Sequence, residues 1–261
     1  MAFAKVNGIN VNYRVEGQGQ PLVMVAGLAM NLGGWQPQLA VFKKQYRIIT
    51  FDNRGIGKSD KPNGPYPPKI MAEDTVQLMD HLNIKEAHIL GVSMGGLIAQ
   101  EIAIRHPARV VKLILVSTWS YQDNYNNGIT SAMLEAAKLP IRQGATLLVD
   151  ASMDKLFNRL FILPTLKVQC KSMKKPEATG LEGQRDGVMV YDSLNRLRLI
   201  NAPTLVIVGT KDRVIKHTSS ETIAKNIPNA RLVKIKDGSH SVFAEMSKVF
   251  NKAVQDFLKT D

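Results

Sequence analysis

Cysteine is nearly missing from this chain: Cys170 is the single one among 261 residues. An intramolecular disulfide is excluded, and with no ligand-like cluster around it Cys170 reads as an inert thiol in a helix. Long apolar runs are missing too. The longest, residues 22–30, contains Gly27 and is too short to span a bilayer, and the stretch from Met1 to Gly8 lacks the apolar core of a secretion signal. A cytoplasmic protein with no membrane association is expected. Acids are the scarcer charge, 22 against 34 Lys and Arg, for a net charge of +12. Such an excess can mark a nucleic-acid binder. Here the bases are scattered and often stand beside acids, as in Lys85-Glu86 and Lys211-Asp212. Only residues 155–176 carry bases without acids, and the aromatics there, Phe157 and Phe161, sit in apolar surroundings. A solvated helix face explains that stretch better than a nucleic-acid surface; attraction of acidic substrates is its functional alternative.

The apolar content, 44%, is ordinary for a globular protein, and the length suits one large α/β domain with a buried core. Residues 9–15 alternate apolar and polar, as in a half-exposed antiparallel strand. Residues 22–26, 47–51, 87–92, 110–116 and 204–208 are near-continuous apolar runs, which suit parallel strands covered on both faces. Helical periods at 71–82 and 97–105 lie between them, the second ending at His106-Pro107. The order predicts a doubly wound sheet. From about Ser120 to Asn195 no buried strand is legible. Helical stretches at 129–139, 145–163 and 166–175, punctuated by Pro140, Pro164 and Pro176, predict a mostly helical cap over the C-terminal edge of the sheet, where ligands bind in open α/β folds.

Gly91-Val92-Ser93-Met94-Gly95 follows one of those strands and opens one of those helices. Alone, a G-x-S-x-G string turns up by chance in roughly one chain in ten of this length. Its context gives it chemistry: a tight strand-to-helix turn exposes a serine hydroxyl, and the helix start offers N–H groups to a developing negative charge. A serine needs a base, and histidine titrates near neutrality. His81 and His106 sit at helix ends, His88 lies inside the strand before Ser93, and His217 falls near a helix start. His240 stands in the loop Asp237-Gly238-Ser239-His240 after the strand 231–235, on the edge that carries Ser93. The acid that fixes its tautomer is Asp212, in the loop after 204–208. Taken singly it would be a turn residue capping the next helix. Asp123 is the distant alternative, and Asp237 reads as a turn residue. The oxyanion donors expected are the N–H groups of Met94 and of Leu28, the latter in the loop after residues 22–26.

These features make the chain resemble the α/β-hydrolase superfamily, over nearly all of its length outside the cap. Besides the elbow, Asp52-Asn53-Arg54-Gly55-Ile56-Gly57-Lys58-Ser59 matches that family's D-x-R-G-x-G-x-S string, assigned here to scaffold. The run from Gly91 to Gln100 is similar to esterases and enol-lactone hydrolases of the family. The resemblance implies an α/β-hydrolase fold: a mostly parallel eight-stranded sheet with helices on both faces, and a helical cap inserted after the sixth strand. The core domain is then 1–119 with 196–261, and the cap 120–195. It implies a serine carboxylesterase acting on a small-molecule ester through Ser93, Asp212 and His240, with no metal or organic cofactor. Cleavage of enol-lactones or of carbon–carbon bonds in ring-cleavage products is the alternative, and a ligand receptor on the same fold is the non-enzymatic one. Ser93 in the nucleophile position argues against the dehalogenase and epoxide-hydrolase branches, which use aspartate. Ala26-Gly27 replaces the His-Gly common ahead of the oxyanion loop; backbone donors survive that exchange. Trp35, Trp119, Met133, Met153, Phe157 and Phe161 are candidate pocket residues, each with core packing as the competing role. Oligomeric state is not legible.

Overall fold

The computed structural model describes residues 2–123, 128 and 178–260. Eight strands form one sheet: β1 (Ala2–Val6), β2 (Ile9–Glu16), β3 (Gln20–Val25), β4 (Tyr46–Phe51), β5 (Ala87–Val92), β6 (Val110–Val116), β7 (Thr204–Gly209) and β8 (Ala230–Ile235). Their order is β1-β2-β4-β3-β5-β6-β7-β8. β1 and β2 run antiparallel, joined through Asn7 and Gly8, both at positive φ as a two-residue hairpin turn requires. β2 also pairs antiparallel with β4, and every later pairing is parallel. This is the predicted α/β-hydrolase architecture.

The central strands β5 and β7 are buried at every position because helices cover both faces. The helices are α1 (Gln36–Phe42), α2 (Pro68–His81), α3 (Met94–Arg105), α4 (Ala178–Val188), α5 (His217–Asn226), α6 (Val242–Glu245) and α7 (Ser247–Lys259). On β3, Val23 and Val25 join a core layer with residues of α2, α3 and α5. Leu22 and Met24 point to the other layer, formed with α1, α6 and α7. The period of two along the strand thus divides one hydrophobic run between two cores. α7 buries Phe250, Val254, Phe257 and Leu258, a helical stripe worth about 1.5–3 kcal/mol per side chain removed from water. Its end is held by Lys112, a buried ammonium on β6 that donates to the carbonyls of Phe257 and Leu258 at 3.1 and 3.3 Å. Those are among the last-turn acceptors that a helix leaves unpaired.

Element boundaries moved where local signals were weak. α2 begins at Pro68, three residues before the first periodic apolar position, because proline at the first turn forfeits no helical hydrogen bond. α3 begins directly after Ser93, since two glycines let its first turn press on the strands. The inserted segment leaves and rejoins the sheet side by side: Ser193 N–H donates to Ser120 O at 2.7 Å, and Tyr121 bridges Asp192. The helical stretches expected at 129–139, 145–163 and 166–175, with Cys170 and the basic run 155–176, lie outside the described residues. Among the described residues no helix is long and apolar enough to cross a membrane.

Candidate active site

Ser93 sits between β5 and α3 with φ 54° and ψ −122°. A non-glycine residue there stores backbone strain, roughly 1–3 kcal/mol, and stays only where its surroundings over-determine it. They do. Ser93 N–H donates to Val116 O on β6 at 2.9 Å, and Ser93 O accepts from Thr118 Oγ1 and from Gly96 N–H, each at 2.8 Å. The flanking glycines are required by close backbone approach. A Cβ on Gly91 would overlap Gly95 O, and one on Gly95 would overlap Val25 O. The helix start is thereby pressed against the ends of β3 and β5, leaving the serine at the rim, 8% exposed.

The two loops after β7 and β8 interlock. A Cβ on Gly209 would overlap Gly238 O, and Lys211 N–H donates to that same oxygen at 2.8 Å. This contact sets Asp212 beside His240. The Asp212 side chain is fully buried. Its Oδ1 accepts from the N–H groups of Val214 and Ile215, both at 2.9 Å, and its Oδ2 lies 2.9 Å from His240 Nδ1. The capping role and the partner role, alternatives in the sequence, are filled by one carboxylate at once. An acceptor-only carboxylate requires the proton on Nδ1, which leaves the Nε2 lone pair free to accept. The His240 loop is pinned in turn: Ser239 N–H donates to Glu245 Oε1 at 2.5 Å. β6 separates β5 from β7, so their ends stand about 10 Å apart on one edge. Among the described residues Ser93 Oγ has no hydrogen-bond partner, so the serine and the Asp212–His240 pair are on one rim without yet being linked.

The loop after β3 abuts the serine. A Cβ on Gly27 would stand 3.2 Å from Ser93 Cβ. Met30 N–H closes a turn onto Gly27 O at 3.2 Å, with Ala29 at φ 62°. Asn53 Nδ2 holds Ala26 O at 2.9 Å. No described residue accepts from the N–H of Leu28 or of Met94. The Met94 side chain itself is fully buried in the core.

The remaining histidines have other partners. His106 Nε2 pairs with Glu73 at 2.9 Å, His217 Nδ1 with Glu221 at 3.0 Å, and His81 stacks edge-on with Tyr13. His88 is buried against Tyr46 with no partner for Nδ1; burial, then the nearby Lys112 ammonium, push its pKa down to about 4. Asp237 is a left-handed turn residue paired with Lys211 at 2.9 Å. Trp35 is fully enclosed, its ring 5.4 Å from that of Phe243, so it packs in the core rather than on an open wall. Trp119 keeps 4% exposure and packs in the opposite core layer, its carbonyl accepting from Gln100. Met133, Met153, Phe157 and Phe161 lie outside the described residues. Among the described residues no cluster of three or more His, Cys, Asp or Glu forms a metal site. Gln184, which no sequence pattern singled out, reaches the loop after β3; a lone glutamine carries no periodic signal, though Gly180, Gly183 and Gly187 mark its helix as closely packed.

Ser93 at its elbow and the carboxylate-held His240 thus stand at the C-terminal edge of a mostly parallel sheet. The chain belongs to the α/β hydrolase fold family, whose model matches residues 20–246. It is similar to 3-oxoadipate enol-lactonase 2 of Acinetobacter baylyi, 30% identical over 256 residues that cover 96% of this chain and 94% of that protein. Among solved structures it resembles the enol-lactonase of Burkholderia xenovorans, with a TM-score of 0.91 and 27% identity over 99% of this chain and 100% of the other. A hydrolase of Pseudomonas aeruginosa aligns with a TM-score of 0.90 and 27% identity, over 99% and 98% of the two chains.

Proposed function

We propose that the protein is a serine hydrolase of small carboxylic esters working through Ser93, His240 and Asp212. The observation that carries this reading is the 2.9 Å contact between a fully buried Asp212 and His240 on the edge that holds Ser93 at its strained elbow. His240 Nε2 takes the Ser93 proton as Oγ attacks the ester carbonyl. The carbonyl electron pair becomes an oxyanion, received by the N–H groups of Leu28 and Met94. Collapse re-forms the carbonyl and breaks the bond to the alcohol oxygen, which leaves with the proton from His240. Water then attacks the acyl group with His240 again as base, releasing the acid and restoring Ser93. Asp212, 2.9 Å from His240 Nδ1, steadies the imidazolium. Hydrogen bonds of this kind tighten in the substrate complex, where Ser93 Oγ meets His240 Nε2. The segment 120–195 serves as the cap that selects the substrate.

A lactone is a cyclic ester, and ring opening uses the same steps with the alcohol retained in the product. The enol-lactonase relative at 30% identity favours that second reading. Replacement of Ser93 by alanine tests both: turnover of p-nitrophenyl acetate and of an enol-lactone should fall by at least about 10⁴-fold. Undiminished turnover by the variant would sink the assignment. Comparing neutral esters, enol-lactones and vinylogous diketo acids on the native protein then separates ester, lactone and carbon–carbon cleavage.

A further inference from the structure

Gln184 has no accessible surface, yet both ends of its amide are used. Oε1 accepts the Ala29 N–H at 3.2 Å, and Nε2 donates to Arg54 O at 3.0 Å. One side chain of the inserted segment thus ties the loop after β3 to the loop after β4. It gets there because α4 turns Gly180, Gly183 and Gly187 towards these loops. A Cβ on Gly180 would overlap Gly55 O, one on Gly183 would meet the Tyr66 ring at 2.5 Å, and one on Gly187 would overlap Tyr66 O. Tyr66 N–H donates to Gly183 O at 2.8 Å, and Leu181 packs with Ile56 and Ala29. The helix is therefore seated backbone to backbone, and the reach of Gln184 is set.

What Gln184 holds is the turn from Gly27 to Met30. The Met30 N–H fixes Gly27 O, and in a trans peptide the Leu28 N–H points opposite that oxygen. The next peptide, Leu28–Ala29, requires Ala29 at φ 62°, a geometry that alanine adopts poorly and glycine easily. The Ala29 N–H is bonded to Gln184 Oε1, so the place of the whole turn against the serine depends on that one side chain. We infer that Gln184 is a positioning residue for the oxyanion site, holding the turn so that the Leu28 N–H is preorganised beside Ser93. The inference rests on the ester-hydrolase reading. Preorganisation is what gives such a donor its value, so a loosened turn costs rate rather than binding.

The test is Gln184→Met, which keeps length and burial and removes both hydrogen bonds. With p-nitrophenyl acetate its kcat should fall about tenfold, below the loss from deleting a donor outright, while KM stays within about twofold. Affinity for a trifluoromethyl ketone, whose adduct with Ser93 carries the oxyanion, should fall by the same factor as kcat/KM. Gln184→Glu keeps an acceptor for Ala29 and should recover part of the loss. Should Gln184→Met fail to fold, Gln184→Asn keeps the amide but withdraws it, and should give the same split. A kcat within twofold of the native value, or a loss of kcat without the matching loss of ketone affinity, overturns the inference. Native turnover abolished by Ser93→Ala but untouched at Gln184 removes this inference alone; no Ser93-dependent turnover of any ester or lactone removes both.

Discussion

Two buried carboxylates stand at the same edge of the sheet and do different work. Asp52, 2% exposed, accepts from Leu32 N–H at 2.8 Å, from Lys58 N–H at 2.9 Å and from Asn12 Nδ2 at 2.8 Å. All three donors are amides that never titrate, so the carboxylate is a knot joining the loops after β3 and β4 to strand β2. Asp212 also accepts from two amides, but its remaining donor is an imidazole with a second nitrogen free. The charge of Asp52 is spent on geometry, whereas that of Asp212 is passed on to a group that can move a proton. Burial and hydrogen-bond count do not distinguish the two; the identity of the last donor does.

The sharpest way to break this contrast is to neutralise both. Asp212→Asn should lower kcat about 10⁴-fold, since an amide no longer fixes the Nδ1–H tautomer or steadies the imidazolium. Steady-state ester turnover with thermal unfolding as a control would reveal it, and a loss under tenfold would remove Asp212 from the mechanism. A buried carboxylate that faces a cation extends the comparison. Asp74 is bound by Arg54 Nε at 2.5 Å and by Asn7 Nδ2 at 2.7 Å. Burial still pushes its carboxyl upward, with Arg54 and Asn7 pulling the other way. Arg54→Met leaves that carboxylate uncompensated and should cost about 3–5 kcal/mol in chemical denaturation.

His88 and His240 sharpen the lesson from the base side, because both are buried and only one has a carboxylate. The His88 pKa lies at about 4 when folded and near 6.5 when unfolded. Between those values the unfolded chain takes up a proton that the native state refuses, so stability falls as pH drops from 6.5 towards 4. At 1.36 kcal/mol per unit the loss is about 2 kcal/mol by pH 5. In His88→Phe the difference in unfolding free energy between pH 7 and pH 5 should shrink by that amount; an unchanged difference would show that His88 protonates freely in the native state. The smallest effect on turnover belongs to Asp52→Asn, about 2 kcal/mol of stability with kcat of the folded protein within about threefold of native. A collapse of kcat at full stability there would erase the distinction between the two aspartates.

The apolar runs and their punctuation marked seven of the eight strands and the helices α2 and α3, because strand burial and helical period are short-range properties written into neighbouring residues; the edge strand β1 carries no such run. The order Ser93, Asp212, His240, each just past the end of a strand, placed all three on one rim for the same reason: parallel strands bring every such loop to one edge. Packing settled what spacing left open. Only the interlocked glycines after β7 and β8 turn Asp212 from a cap into a cap and a partner, and only the core layers assign Trp35 to packing. The link from Gln184 to Ala29 spans 155 positions and rests on a helix that three glycines let sit close, a contact between distant surfaces that no local pattern encodes.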